Sequence, residues 1–219
     1  MDIESFSQCI TYLQNSAPAR NAIEKALPIV GTLAGTFLGF ILNFSWTLHK
    51  ESRSNKNKLM CMDEDTHRIN HFLLEMTKQY AEHLKKVVIR DYPTSHNLPS
   101  EIHSSCIEEY FTEVAHKYTK NQRYWLQELS SQLKYINTNL SDIRTREEID
   151  PYNLSKKFLD GISSALFCSK LCVMIMKNET LPDIPLEKQL ELLGISPVAV
   201  QAYVVARANA DNKNSHLHL

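Results

Sequence analysis

The sequence predicts an all-α protein: a single N-terminal transmembrane helix followed by a cytoplasmic helical bundle. Three observations carry this. Residues 26–48 hold no charged side chain. From residue 59 onward, apolar residues recur every three or four positions, the period of one helical face. The chain has only five glycines, three of them (Gly31, Gly35 and Gly39) inside the uncharged run. Little is left for tight hairpins or a glycine-rich phosphate loop.

Residues 1–25 read as a short extracytoplasmic leader. Ile3, Phe6, Ile10 and Leu13 repeat at helical spacing, so part of it is expected to be amphipathic. The apolar run that follows is longer than a signal-peptide core and has no basic segment before it. A retained anchor is therefore expected rather than a cleaved signal.

Residues 26–48 are the expected span. At about 1.5 Å each they give a helix of roughly 34 Å, against a hydrocarbon core of about 30 Å. Eleven of them are Leu, Ile, Val or Phe, which favours insertion by roughly 3 to 7 kcal/mol before polar costs. Pro28 is expected in the first turn, where its missing N–H does no harm. At 100° per residue Gly31, Gly35 and Gly39 share one stripe with Leu42 and Trp46, while Leu33, Phe37, Phe40 and Phe44 face the other way. Small residues at this spacing let two helix backbones approach closely in lipid. Asn43 lies one turn beyond Gly39, and its amide gains by bonding to a neighbouring helix. Gly31, Gly35, Gly39 and Asn43 are the candidate association face.

Residues 49–58 form a basic juxtamembrane segment. Lys50, Arg53, Lys56 and Lys58 give it four cations, against Arg20 and Lys25 in the whole leader. The positive-inside rule then puts the leader outside and the C-terminal part in the cytoplasm. The expected location is the plasma (inner) membrane, single-pass. Trp46 and the four cations are the expected membrane-interface residues, in contact with lipid.

A four-helix bundle is expected over residues 59–180. In its first helix Ile69, Phe72, Leu73, Met76, Tyr80, Leu84 and Val87 make one apolar stripe; Phe72→Ala should cost roughly 3 to 5 kcal/mol if that ring is buried. Asp91, Tyr92 and Pro93 end the helix. Ser100 is the expected cap of the second, with Ile107, Tyr110, Phe111, Val114 and Tyr118 facing inward. The third spans about residues 122–146, with Trp125, Leu126, Leu129, Leu133, Ile136, Leu140 and Ile143 as core. Asp150 followed by Pro151 is a start signal for the fourth. Its apolar end, residues 161–176, is too short for a second span and contains Lys170, so it is expected in the core. Two short helices follow within residues 181–210, then a polar, flexible tail at 211–219.

Candidate chemistry is sparse. Glu64/His67 and Glu113/His116 have the Glu-x-x-His spacing of di-metal bundles, and His71 adds a partner to the first. All five lie off the apolar stripes, where a solvated polar face accounts for them; no metal or cofactor is expected. Five cysteines without framework spacing do not suggest a disulfide scaffold. Cys168 and Cys172 read as small buried hydrophobes, and Cys9 as an exposed thiol able to cross-link two chains. The triplets at Asn139, Asn153 and Asn178 matter for glycosylation only if the domain faces outward. Leu193, Gly194, Ile195, Ser196 and Val200 resemble the core of a helix-turn-helix. However, Leu190 stands where a small residue normally lets the helices cross, and no cation precedes Arg207 on the second helix. A helical hairpin packed on the bundle is expected. The net charge of −1 also argues against nucleic acid as a partner.

No Walker loop, His-Glu-x-x-His or Gly-x-Ser-x-Gly marks an enzyme. The expected function is a membrane-anchored interaction protein, homo-oligomeric through its span, that presents the bundle to a cytoplasmic protein partner. One alternative is a membrane effector or sensor whose associated spans permeabilise the membrane on a partner signal. The other is an enzyme with an unrecognised site in the bundle.

Overall fold

The computed structural model describes residues 3–15, 22–91, 97–145 and 150–215. The chain is all-α among these residues: α1 (Ile3–Asn15), α2 (Ala22–Val88), α3 (Ser105–Val114), a 3-10 turn (Ala115–Lys117), α4 (Lys120–Thr145), α5 (Pro151–Lys177), α6 (Leu186–Leu192) and α7 (Pro197–Ser215). It divides into two compact units, Met1–Asn55 and Lys56–Leu219. The expected turn at Tyr92 and Pro93, the leader residues Asp2 and Arg20, the side chains of Glu24 and Lys25, and the last four residues of the tail lie outside what is described.

In the first unit, α1 is the expected leader helix. Phe6 and Ile10, one turn apart, are its least exposed described side chains. α2 starts at Ala22, earlier than expected, so Pro28 lies inside the helix and not in its first turn. Near the N-terminus α2 is apolar enough and long enough to cross a membrane, a property that spans share with signal sequences. Every side chain from residue 27 to residue 50 is exposed. The basic segment 49–58 is itself helical. No Gly or Pro occurs between residues 40 and 92, and Lys, Arg and Glu favour the helix, so nothing there interrupts the backbone pattern.

The second unit is built on α5. Asp150 caps it, its side chain accepting from the Asn153 N–H, with Pro151 in the first turn as expected. It ends where Asn178 takes a left-handed conformation at φ 53°, which asparagine tolerates better than most residues. Twelve of its residues are buried, from Phe158 to Ile175. Although α5 is long and apolar enough for a span, most of its apolar residues are core. Gly161 lets it approach α2: a Cβ there would lie 2.5 Å from Tyr80 Cε2. The Tyr80 ring packs on Phe158 with centroids 5.6 Å apart, and Asn70 accepts from the Ser169 hydroxyl at 2.7 Å.

From α2, Met62, Ile69, Leu73, Met76, Tyr80, Leu84 and Val87 enter the core, joined by Trp125 through Leu140 of α4. Phe72 does not join them. It is 43 % exposed while Leu73 is fully buried, because the stripe turns with the 3.6-residue period and leaves position 72 at its edge.

The second helix also differs from expectation. α3 begins at Ser105, not after Ser100, and its cap comes from another helix. Asp65 of α2, only 4 % exposed, accepts from the N–H groups of Cys106 at 2.8 Å and Ile107 at 3.4 Å. A disulfide between Cys61 and Cys106, 45 residues apart, ties the same two helices. Nothing in the cysteine spacing pointed to this one bond. Closing a loop of that length stabilises the fold by about 4 kcal/mol on a chain-entropy basis.

α6 and α7 form the expected hairpin. Gly194 at φ 73° ends α6 with bonds from its own N–H to Glu191 O and from Ile195 N–H to Leu190 O, the paired bonds of a Schellman stop. Leu190 and Ile195 are both buried at this turn. Ser196 then starts α7, and its hydroxyl bonds Glu82 of α2 at 3.2 Å. α7 buries Ala199, Val200, Tyr203 and Ala206. It runs to Ser215, so residues 211–215 of the expected flexible tail are helical.

This packing sets expectations of two kinds, for substitutions and for pH. Gly161→Ala adds a methyl against a fully buried ring, and overpacking of roughly 1 to 3 kcal/mol should outweigh the helix propensity gained, about 1 kcal/mol. Urea unfolding of the intact protein in detergent should show a net loss. Leu73→Ala should lose about 2 to 5 kcal/mol, while Phe72→Ala, on the exposed edge, should lose under about 1 kcal/mol.

The second concerns pH. Burial pushes the Cys168 thiol up to about 12 and raises Cys172 as well, whereas an unfolded thiol ionises near about 8.5. The folded state therefore holds these protons more tightly, so their contribution is complete below about pH 8.5 and is lost as pH rises. The unfolding free energy should fall with a slope approaching roughly 1.4 kcal/mol per pH unit for each thiol. The Cys168→Ala, Cys172→Ala double variant should lack that component in the same urea series.

Candidate functional site

The sequence-predicted association face lies wholly within the first unit. A Cβ placed on Gly31, Gly35 or Gly39 would meet nothing within 4 Å, so the row is an open trough along α2. On the far side Phe40 and Phe44 stack with centroids 6.2 Å apart. The three threonine hydroxyls of this stretch are satisfied by their own helix. Thr32 donates to Pro28 O at 2.8 Å, Thr36 to Thr32 O at 2.9 Å and Thr47 to Asn43 O at 2.9 Å. Threonine reaches the carbonyl four residues back, which cancels most of its cost in an apolar setting. The Asn43 amide is too short and too rich in donors for that solution. It makes no hydrogen bond among the described residues, and neither does the Ser45 hydroxyl.

The expected interface residues divide into two groups. Trp46 is 73 % exposed, and Lys50, Arg53 and Lys56 are exposed beyond it. Lys58 is engaged within the second unit: it pairs with Glu113 of α3 and lies 5.9 Å over the Tyr110 ring. Its partner is 55 residues away, which the local charge run could not reveal.

The polar pairs off the stripes are where their spacing put them. Glu64, His67, His71 and His116 are exposed, and Glu113 is taken by Lys58. No group of three His, Cys, Asp or Glu side chains converges among the described residues.

An open groove of about 660 Å³ runs between α5 and the segment carrying α6, lined by Ser163, Phe167, Lys170, Asp183, Glu187 and Arg207 among others. An apolar recess of about 350 Å³ continues from it past Leu74, Leu181, Leu192 and Leu193. Several polar groups of the groove bond one another or nearby chain. Lys170 pairs with Asp183, which holds that carboxyl below its usual range. Arg207 donates to Tyr203 Oη at 3.0 Å. Neither histidine nor cysteine lines it, and its lysine is paired with a carboxylate.

Sequence reasoning missed one cluster. Asp65 sits between Cys61 and Ile69, accepting from two N–H groups of α3 and paired with Arg68. Arg68 in turn reaches the His103 carbonyl at 3.4 Å. The signal was present: Asp65 falls on the apolar stripe of Met62, Ile69, Leu73 and Met76, where a carboxylate is buried and must find donors. The disulfide left no such signal, because a 45-residue separation says nothing about proximity.

Comparison with protein-family models, curated proteins and solved structures finds no match to this chain.

Proposed function

We propose that this chain is a single-pass protein of the plasma (inner) membrane that self-associates through Gly31, Gly35, Gly39 and Asn43. Its helical domain then lies on the cytoplasmic side, where it meets a protein partner. The observation that carries the first part is the pairing of an unobstructed glycine trough with an amide that has no hydrogen-bond partner among the described residues. Lipid competes poorly for both: a second helix fills the trough with close packing, and it supplies donors and acceptors to Asn43. The aromatic face opposite is bulky and suits lipid tails. Orientation is supported by Lys50, Arg53 and Lys56 following Trp46 at the exposed end of the apolar stretch. Support for a protein partner is more general, in that Phe167, Leu192 and Val198 of the domain remain exposed.

Self-association is best measured by energy transfer between labelled full-length chains in membranes. Gly35→Leu and Gly39→Leu should abolish most of the signal by wedging side chains between backbones. Phe37→Leu and Phe44→Leu keep bulk toward lipid and should leave it nearly unchanged. Asn43→Leu should weaken association by no more than about 1 to 2 kcal/mol. Equal losses from both faces, or none from either, would remove the glycine face from the proposal. In intact cells Cys9, exposed on α1, should react with a membrane-impermeant thiol reagent; protection until lysis would reverse the orientation.

A further inference from the structure

We propose that Cys61 and Cys106 form a reversible thiol–disulfide switch that sets how firmly α3 is held against α2. The bond joins α2, six residues into the second unit, to the first turn of α3. Both cysteines are partly exposed, so a small thiol can reach them, whereas Cys168 and Cys172 are buried. Redox chemistry in the domain is thus directed to this pair.

A switch needs two states that both keep the fold, and the neighbouring groups supply them. Asp65 accepts from the amides of Cys106 and Ile107, bonds that do not involve the sulfurs and are available when they separate. At the other end of α3, Lys58 holds Glu113. The two Cα atoms sit 5.8 Å apart, within the range a disulfide spans, so these ties keep the thiols in place for re-oxidation. α3 itself is only ten residues long, too short to persist as an isolated helix, and it fully buries just Ile107 and Val114. Its attachment is accordingly a sum of few terms, and removing one shifts an opening equilibrium of α3 without dismantling α4 and α5.

The co-reactant is a low-molecular-weight thiol of the glutathione type and its disulfide. In reduction, its thiolate attacks one sulfur of the pair to give a mixed disulfide and one protein thiolate, which takes up a proton. A second thiolate attacks the external sulfur, releasing the oxidised co-reactant and the second protein thiol. Two electrons enter the protein and two reductant thiols become one disulfide; oxidation is the reverse exchange.

This inference is independent of the glycine face, and its test does not read self-association. Full-length protein in native membranes is equilibrated with graded ratios of reduced to oxidised glutathione. Free and bonded thiols are then labelled with distinct reagents and quantified by mass spectrometry. Hydrogen exchange is followed in parallel on the oxidised and reduced samples. Cys61 and Cys106 should titrate together within the ratios that cells maintain. On reduction the amides of residues 108–114 should exchange at least about tenfold faster, with α4 and α5 unchanged. Cys106→Ser should show the fast pattern without reductant; should that variant not accumulate, the wild-type titration decides alone. A pair that stays oxidised throughout is a permanent staple, and one that stays reduced forms no switch. Loss of protection across α4 and α5, or unchanged exchange in α3, overturns the proposal equally.

Discussion

A helix buried around most of its circumference has to be surrounded, and α5 imposes that requirement on the whole second unit. Its twelve buried residues include no formal charge, so each flank needs an apolar neighbour to remove it from water. The stripe of α2 takes one flank and that of α4 another, and α7 packs against α5 beside the short α6. The amphipathic character of these neighbours follows from this: each needs one apolar face and leaves the other to water. α5 departs from that pattern, and among the described residues of this unit it alone is apolar enough to be mistaken for a second span.

Around that core, the irregular segments are fixed by side chains that replace missing secondary structure. Residues 97–104 have no regular structure, yet several of their backbone groups are paired by side chains of the long helices. Asn137 of α4 takes both the N–H and the carbonyl of Ile102, at 2.9 and 3.1 Å, and Arg144 donates to Leu98 O at 2.9 Å. Asp65 then receives the first N–H groups of α3. Buried backbone groups must be paired, and here the long helices supply the partners that a strand or a tighter turn would have given.

What the sequence made legible was local. Helix starts and stops written in neighbouring residues, such as Asp150 with Pro151 or Gly194 after Leu193, translate directly into caps and turns. The stripes of α2 and α4 were readable because burial follows the helical period. Ser100 misled because a serine before a helical run is only a potential cap, and the actual donor set was met by a carboxylate from α2. Phe72 misled because periodicity locates a face but not its edges. Of the candidate site, the glycine row and Asn43 lie on one helix, so their shared face follows from helical spacing alone. Lys58 with Glu113, and Cys61 with Cys106, depend on which distant segments meet, and no single-residue pattern carries that.

The contact between α2 and α5 also bears on how the sequence can vary over time. Gly161 has no side chain because the Tyr80 ring occupies the space where one would be. The two positions therefore share a single volume, and neither is free to change by itself. Any side chain at 161 requires a smaller residue at 80, and a larger group at 80 has nowhere to go. Descendants of this chain that drift elsewhere on its surface should carry a compensated pair at these two sites, inherited as one unit across 81 residues of sequence.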